Sequence, residues 1–284
     1  MKIAAFTAGL PEYTPEDAVE ALSSLGFDGV EWRVVDQGPW DGEPSFWFGN
    51  RCTLPLSTLV DDAPRVRALV EGHGLAMPNL GTYVACSDPE AVEHAMRAAV
   101  ALGAPSIRVT LPGYDGSAPY LPERDAARRQ WDTVAMLAAN HGVRALLELH
   151  MDTIIPSASA AASFLHGLDP AHVGVIHDAG NMVFEGHERY RMSLEVLGPY
   201  LAHVHIKNAT WSPLGARPDG STQWAPAFAP LTAGIVDVPS LLRSLRDVGY
   251  DGWISLEDFS TAQPVYERTR DDIAYLRKAL AAGT

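Results

Sequence analysis

The sequence predicts an α/β protein built as a single (β/α)8 barrel over residues 1–284. Three observations support this prediction. Short runs rich in Val, Ile and Leu recur along the chain, and each precedes a segment whose apolar residues follow helical spacing, a pattern typical of parallel strands covered by helices. The chain length of 284 residues fits one such barrel of roughly 250 residues. No linker, low-complexity tract or change of composition divides the chain.

Composition and charge narrow the function classes. The chain carries 35 acidic against 21 basic residues, a net charge of -14, and this balance argues against a nucleic-acid surface, which would cluster Lys and Arg. Its two cysteines, Cys52 and Cys86, are expected to be free thiols in a reducing compartment. The N-terminal apolar run is too short for a secretion signal, and no run approaches the ~20 apolar residues of a membrane span. We therefore expect a cytoplasmic protein that binds neither nucleic acid nor membrane.

Local signals define the first elements. Residues 2–7 (KIAAFT) form a predicted strand, and Thr14 precedes a proline and two acidic residues, which marks the start of a helix that ends near Gly26. The next strand is GFDGVEWR, in which alternation places Glu31 and Arg33 on one face. We expect Glu31 to point into the barrel mouth, where it would help to orient a substrate.

Later elements continue the same alternation. In the strand SIRVT, residues Ser106, Arg108 and Thr110 share one face. We expect Arg108 to point into the barrel, because the other face would bury it among helices. Strand three is predicted at 75–81. Further helices are predicted at 62–73, from 87 onward, and at 123–140, 157–165, 188–197, 238–248 and 264–281.

Two long connections interrupt the regular alternation. The first runs from about Val34 to Thr58 and holds Trp40 and Trp47, and the second spans 209–233 and holds Trp211. Loops of this length in a compact domain are usually functional or disordered, and their aromatic content argues against disorder. We expect these tryptophans to cover a bound substrate and exclude water.

Four strands of the second half each end in a potential metal ligand. They read RALLELH, VGVIHD, AHVHIK and GWISLED, and they carry Glu148, Asp178, His205 and Glu257 near their ends. The C-terminal ends of the strands form the functional rim of such a barrel. Two Glu, one Asp and one His make an oxygen and nitrogen set suited to one hard or borderline divalent cation.

Several of these residues have a simpler structural interpretation when taken alone. Glu148 could form a structural ion pair with Arg108 instead of binding a metal. Asp178 precedes Ala-Gly, a position where an aspartate most often caps a helix or a turn. Either acid at the end of the last strand, Glu257 or Asp258, could be the inward one, and alternation favours Glu257.

The strongest single indication of a polar site is the run His203-Val-His205-Ile-Lys207. A buried parallel strand would not carry two imidazoles and an ammonium on one face without a polar site to satisfy them. His205 lies nearer the rim and is the predicted ligand, whereas His203 is as consistent with a structural histidine as with a substrate contact. Lys207 would orient the substrate, and His150 and His177 are further candidate substrate contacts.

Taken together, these motifs resemble one known family, the xylose-isomerase-like TIM barrels, which include sugar phosphate isomerases and epimerases, ketose 3-epimerases, inosose dehydratases and endonuclease IV. The resemblance rests on GFDGVEWR, LELH, HDAGN, HVHIKN and YDGWISLE, in this order, and it covers nearly the whole chain. It implies one divalent cation (Mn2+, Mg2+, Co2+ or Zn2+) held by Glu148, Asp178, His205 and Glu257.

The chain departs from two members of this family. Ketose 3-epimerases typically place a second histidine where this chain has Asn181, and a second acid where it has Ile154. Endonuclease IV holds three metals with additional histidines, and the loop WSPLGARPDGSTQW contains none. The resemblance therefore does not extend to the ketose 3-epimerase sugar site or to DNA repair.

The resemblance implies a metal-dependent isomerase or epimerase that acts on a small sugar or polyhydroxylated carbonyl compound through an enediolate. In such enzymes the cation polarises the carbonyl, and Glu148 and Glu257 would serve as catalytic base and acid. A lyase (dehydratase) that expels a hydroxyl after the same proton abstraction is the main alternative. A non-catalytic barrel that binds a metal or a sugar is a further one, although all four ligand positions are filled. The expected partner is a carbohydrate-like small molecule, and homo-oligomerisation stays open.

Overall fold

The computed structural model describes residues 1–282. The strands, in chain order, are β1 (Lys2–Phe6), β2 (Gly29–Val34), β3 (Thr53–Leu54), β4 (Leu80–Thr82), β5 (Ser106–Arg108), β6 (Arg144–Glu148), β7 (Val173–Asp178), β8 (Leu201–Ile206), β9 (Asn208–Ala216), β10 (Thr222–Ala229) and β11 (Trp253–Leu256). The helices are α1 (Pro15–Leu25), α2 (Leu56–Gly72), α3 (Pro89–Leu102), α4 (Tyr120–His141), α5 (Ala158–Leu165), α6 (Ala179–Phe184), α7 (Tyr190–Leu197), α8 (Val238–Asp247) and α9 (Val265–Ala281).

Eight parallel strands close into a barrel. β1 pairs with β2 on one side and with β11 on the other, so that Ala5 lies opposite both Val30 and Leu256. The order around the barrel is β1, β2, β4, β5, β6, β7, β8 and β11. β3 is a two-residue addition beside the end of β2. The predicted (β/α)8 barrel is thereby confirmed.

Helix boundaries follow the local chemistry of the sequence. Thr14 Oγ1 accepts a hydrogen bond from the Asp17 backbone N–H, and the Asp17 carboxylate accepts one from the Thr14 backbone N–H. This capping box satisfies two backbone donors before α1. Asp88 caps α3 by accepting a hydrogen bond from the Ala91 backbone N–H. α1 ends at Gly26, whose φ of 82° suits a residue that lacks a Cβ.

Three segments differ from the prediction. The strand predicted at 75–81 is shorter, since β4 spans only Leu80–Thr82. α2 begins at Leu56 rather than at 62 and continues through Pro64, a residue type that sequence patterns favour only near a helix start. The connection predicted at 209–233 contains an antiparallel hairpin formed by β9 and β10. Pro213 and Pro226 within these strands hide the alternation, since proline is uncommon inside a sheet.

The apolar core lies between the strands and the surrounding helices. Trp32 of β2 and Trp131 of α4 are fully buried in it. Strand faces that point into the barrel instead carry buried charged side chains near their C-terminal ends, among them Glu31, Arg108 and Lys207. Among residues 1–282, no helix combines the length and apolar character that a membrane span requires.

Candidate metal centre

The four predicted ligands converge at the C-terminal end of the barrel. Glu148 and Asp178 are the last residues of β6 and β7, His205 lies in β8, and Glu257 follows β11 directly. All four side chains are buried. Each offers one ligand atom, and these four atoms lie within 4.8 Å of one another. The structure thus brings together the side chains that the sequence singled out.

Strand register accounts for this convergence. Asp178 and His205 are paired residues of β7 and β8, and the Glu257 backbone N–H donates to the last carbonyl of β8. Glu148 lies opposite Ile176, two residues before Asp178. Because strands in a barrel are tilted and staggered, residues at these offsets reach the same level of the rim. The backbone ladder, and not a flexible loop, therefore positions the ligands.

His205 is held on both sides of its ring. Its Nδ1 lies 2.9 Å from Glu148 Oε1, and its Nε2 lies 3.1 Å from Glu31 Oε1. The ring also stacks on Phe6, with the ring centroids 5.6 Å apart. A carboxylate at one ring nitrogen fixes the tautomer and orientation of a histidine, and it leaves the other nitrogen for a metal. Glu31 is placed to accept a hydrogen bond from Nε2–H, which leaves Nδ1, on the side of the ligand set, for a metal.

Glu31 lies deeper in the barrel than the four ligands. It is fully buried, lies 2.9 Å from His203 Nε2, and accepts a hydrogen bond of 2.7 Å from Asn79 Nδ2. Glu31 and His203 both point into the barrel, as alternation predicts, but neither lines the cavity that opens above the ligands. The structure does not place Glu31 where a substrate would touch it, because His203, His205 and Asn79 surround its carboxylate.

Two cations lie among the acids. Arg108 Nη1 is 2.7 Å from Glu148 Oε2, so the ion pair that the sequence left as an alternative does form. Lys207 Nζ is 3.0 Å from Asp178 Oδ2 and also contacts Glu257 Oε2. The Lys207 ammonium therefore stands as a cation between two of the candidate metal ligands.

These contacts determine the ionisation of the site. Burial opposes the charged form of Glu148, yet the Arg108 guanidinium holds its pKa well below the usual range. Burial likewise opposes ionisation of Glu257, whose pKa the Lys207 ammonium lowers. Burial raises the pKa of Asp178 to about 7, with Lys207 lowering it and the two glutamates raising it. Both glutamates are therefore carboxylates at neutral pH.

A cavity of about 510 Å³ opens above these side chains. Its charged and polar lining consists of Arg108, Thr110, Glu148, His150, Thr153, Lys207 and Glu257. Its aromatic wall consists of Trp47, Tyr83, Phe228 and Phe259. Tyr83 packs on the Arg108 guanidinium, which lies 4.5 Å from the ring centroid, and the rings of Trp47 and Phe259 are 4.7 Å apart. Of the predicted substrate contacts, Arg108, His150 and Lys207 lie at this cavity.

Three aromatic residues of the cavity wall were missed by sequence reasoning. Tyr83 directly follows β4, and Phe259 comes two residues after Glu257. Their place just beyond strand ends, where rim residues occur, was an available signal. Phe228 lies in β10, and no local pattern marks it, because its approach to the cavity depends on how the hairpin folds over the barrel.

The tryptophans of the two long connections reach different places. Trp47 lines the cavity, as expected of a covering residue. Trp40 is half exposed and stacks on Phe48, with the ring centroids 5.3 Å apart, outside the cavity lining. Trp211 donates its indole N–H to the Val183 carbonyl at 2.7 Å and lines a neighbouring depression. The expectation that Trp40 and Trp211 cover the metal cavity is therefore corrected.

His177 lies on the outer side of β7. Its Nε2 is 3.0 Å from Ser193 Oγ of α7, and the side chain is fully buried. Alternation turns His177 away from the face that carries Asp178, so the structure does not bring it to the substrate cavity. Burial lowers the pKa of His177 to about 4, which keeps this packed histidine neutral.

The arrangement fits a divalent cation. Three carboxylates and one imidazole within 4.8 Å supply hard oxygen ligands and one borderline nitrogen, and the Lys207 ammonium already stands as a cation there. Asn181 Oδ1 is buried without a hydrogen-bond partner, and the same amide lies beside Glu148 through its Nδ2. A buried acceptor of this kind is satisfied by a water or hydroxyl group, which a metal or substrate would bring.

Comparison with known families agrees with this geometry. The family model described as xylose isomerase-like TIM barrel matches residues 19–279. The chain belongs to this family. The resemblance carried by the sequence motifs is thereby confirmed, and the ligand positions of this xylose isomerase-like barrel all lie within the matched residues.

Two curated relatives of this xylose isomerase-like chain match part of it. The rhizopine catabolism protein MocC of Rhizobium meliloti is 28% identical over 169 residues, which are 57% of this chain and 51% of that protein. An inosose dehydratase of Geobacillus thermodenitrificans is 26% identical over 129 residues, 43% of this chain and 42% of that protein. The chain thus spans about half the length of the curated relatives it matches.

Similar solved structures cover nearly the whole chain. The 3-keto-D-glucoside 4-epimerase YcjR from E. coli, in its apo form, has a TM-score of 0.72 at 19% identity and covers 98% of this chain and 99% of that chain. A xylose isomerase-like TIM barrel protein from Mycobacterium smegmatis, in complex with magnesium, has a TM-score of 0.69 at 20% identity and covers 100% of this chain and 98% of that chain. At these identities the similarity shows the fold.

Proposed function

We propose that this protein is a divalent-metal-dependent isomerase or epimerase that acts on a small sugar or polyhydroxylated carbonyl compound. The observation that carries the proposal is the convergence of Glu148, Asp178, His205 and Glu257 within 4.8 Å. The two glutamates of this set also line a cavity. The reaction begins with removal of a proton from the carbon next to a carbonyl. Returning that proton to a different face or a different carbon gives epimerisation or isomerisation.

The four converging residues would hold one divalent ion. When bound, such an ion supplies Lewis-acid polarisation of a carbonyl oxygen. Glu148 ends β6 and Glu257 follows β11, with β7 and β8 between these strands, so their carboxylates flank the cavity from two directions. A carboxylate on each side of a substrate carbon can remove a proton and return one, a contribution of about 10²- to 10⁴-fold.

The remaining lining residues orient the substrate and exclude water. Arg108 and Lys207 present hydrogen-bond donors at the cavity while each remains paired with a ligand carboxylate. His150 uses its Nδ1 at 2.7 Å from the Met151 carbonyl, which leaves Nε2 for a substrate hydroxyl. Trp47 forms part of the aromatic wall, from which it would shield the reacting carbon from solvent.

The names of similar proteins support a sugar substrate and keep one alternative open. The E. coli epimerase shares the whole fold, whereas inosose dehydratase is the curated relative with a lyase name. A lyase would start from the same proton abstraction and then expel a hydroxyl group. A non-catalytic metal- or sugar-binding barrel is less well supported, because every ligand position is filled and two glutamates line the cavity.

Hydrogen exchange in D2O tests this proposal. The protein is incubated with ketoses, aldoses, inososes and keto acids, with and without added Mn2+ or Mg2+, and each C–H signal is followed by NMR. We expect metal-dependent loss of one C–H signal next to a carbonyl in at least one compound class. A dehydrated product would favour the lyase, and no exchange in any class with metal bound would overturn the proposal.

A further inference from the structure

A second depression adjoins the metal cavity at the barrel rim. This outer depression, with a volume of about 440 Å³, is lined by Tyr114, Asp115, Met151, Asp152, Glu185 and Trp211, among others. Met151 lines both spaces. Phe184 of the outer depression packs on Phe228 of the metal cavity, with ring centroids 5.1 Å apart. A molecule that reacts in the metal cavity therefore needs to extend only past Met151 to enter the outer depression.

Two aromatic rings of the outer depression are held in place. Trp211 of β9 lies opposite Pro226 of β10, and its indole N–H is fixed on the Val183 carbonyl. The Tyr114 ring packs edge-on against the ring of Tyr120, with the ring centroids 5.5 Å apart, and the Tyr114 backbone N–H donates to the Asp152 carbonyl at 2.8 Å. Rings whose positions are already fixed offer apolar faces to the C–H side of a sugar ring, and little side-chain freedom is lost on binding.

The charged groups of the outer depression are all acidic. They are Asp115, Asp152 and Glu185, and among the described residues no Lys, Arg or His lines this space. Asp152 has a φ of 57°, an uncommon conformation for a residue with a Cβ, and its backbone N–H donates to Glu185 Oε2 at 3.1 Å. Carboxylates accept hydrogen bonds from hydroxyl groups, whereas they repel a phosphate. The space therefore suits a neutral ring that carries hydroxyl groups.

We propose that the outer depression is a subsite for a neutral second ring, so that the substrate is a glycoside and not a free monosaccharide or a sugar phosphate. This inference rests on the proposed function, in which the reacting ring occupies the metal cavity. The metal cavity offers no separate phosphate site, because Arg108 is paired with Glu148 and Lys207 with Asp178 and Glu257. In this proposal, Trp211 and the three acids recognise the second ring of the substrate.

Binding of matched sugars tests the subsite. Dissociation constants are measured by isothermal titration calorimetry on the metal-replete protein for D-glucose, maltose, cellobiose, trehalose and glucose 6-phosphate. We expect at least one disaccharide to bind about tenfold more tightly than D-glucose, an effect equivalent to one good stacking contact. Glucose 6-phosphate should bind no more tightly than D-glucose. The proposal is overturned if no disaccharide binds more tightly than D-glucose, or if glucose 6-phosphate binds best.

Tryptophan variants assign the effect to the subsite. Trp211→Ala should reduce the disaccharide preference to within about twofold of D-glucose, whereas Trp211→Phe, which keeps a ring, should retain most of it. Trp40→Ala is the matched control, because Trp40 is a similarly exposed tryptophan that lines neither space. A preference that survives Trp211→Ala, or one that Trp40→Ala abolishes equally, contradicts the assignment.

The result of the sugar-binding experiment can be distinguished from that of the C–H exchange experiment. A disaccharide preference that depends on Trp211, in a protein without C–H exchange, would support the subsite and reject the proposed reaction. Exchange without such a preference would support the reaction and reject the subsite.

Discussion

Two groups of buried acids are neighbours in this barrel, and they differ in the charges that face them. Glu257 belongs to the metal centre, where the Lys207 ammonium contacts its carboxylate and His205 Nδ1 lies 3.6 Å away. Asp258 is the next residue, and it is also buried. Its carboxyl group interacts with Asp272 of α9 instead.

Within residues 1–282, no Lys, Arg or His forms an ion pair with the second group, Asp258 and Asp272. Asp258 Oδ2 and Asp272 Oδ2 are both buried without a hydrogen-bond partner. Arg268 is near, but its guanidinium donates to the backbone carbonyls of Ser260 and Gly9. Burial and the Asp258 carboxyl raise the pKa of Asp272 to about 8, whereas the pKa of Glu257 is lowered despite burial.

Burial alone therefore does not mark a functional acid. Both groups are out of water, but Glu148 and Glu257, which face Arg108 and Lys207, have lowered pKa values and line a cavity. Acids that remain charged in a dry site can bind a cation and exchange protons with a substrate. Asp272, buried on α9 with its pKa raised to about 8, is instead a neutral packing group at pH 7.

The largest expected effect is on catalysis and comes from Glu257→Gln. This change keeps size and one oxygen ligand but removes basicity, so C–H exchange should fall by ~10²-fold or more. Metal content should stay at one ion per chain. Exchange is read by NMR in D2O, and metal by elemental analysis of the same sample.

Asp258→Asn is the matched control for that variant, since it replaces the adjacent acid without touching the cavity. It should leave C–H exchange near the wild-type rate. If Glu257→Gln retains wild-type exchange with its metal in place, another group is the base. If Asp258→Asn is as damaging as Glu257→Gln, the comparison between the two groups fails.

A smaller effect, on metal affinity, is expected from changing Glu31, the acid that lies beneath the ligands. Glu31→Ala removes the partner of His205 Nε2, so the affinity for Mn2+ should fall by about 10- to 100-fold, as is typical when the group that orients a metal-bound histidine is lost. Glu31→Gln keeps an acceptor oxygen and should recover most of the affinity. Titration calorimetry with Mn2+ measures both, and wild-type affinity in Glu31→Ala would show that the orientation of His205 does not depend on Glu31.

The smallest expected effect is on thermal stability, and it comes from Asp272 of the second group. The pKa of Asp272 is raised in the folded state to about 8, above its unfolded value. The contribution of Asp272 to the free energy of unfolding is therefore fully present below the unfolded pKa, and it is lost as pH rises through about 8. Asp272→Asn removes this dependence, so at pH 9 the metal-free variant should melt about 2–4 °C higher than the wild type, which corresponds to roughly 1 kcal/mol. Identical melting curves of the two proteins between pH 5 and 9 would contradict the raised pKa.

Much of this fold could be predicted because its signals are local. The cap at Thr14, the glycine that ends α1 and the alternation in the second half each depend on a few adjacent residues. The β9–β10 hairpin was missed because two prolines interrupt its pattern. Pairing with the opposite strand, which the sequence does not display, holds these residues in register.

The site was predictable only where strand geometry determines it. Alternation was enough to select His205 and Glu257, since the backbone ladder fixes which face a strand residue presents. Trp40 and Trp211 could not be placed, because their positions depend on how loops fold over the rim. The prediction that Glu31 points into the barrel was correct, but its depth below the ligands depends on strand tilt and stagger.

The most direct test of the account is the location of the metal. Crystals grown with Mn2+ should give one anomalous peak per chain at the centre of the ligand set, within coordination distance of the side chains of Glu148, Asp178, His205 and Glu257. The Asp258–Asp272 pair should show no peak. An empty ligand set at saturating Mn2+, or an ion bound at Asp258 and Asp272 instead, would contradict the central claim that the acids faced by cations are the ones that bind the metal.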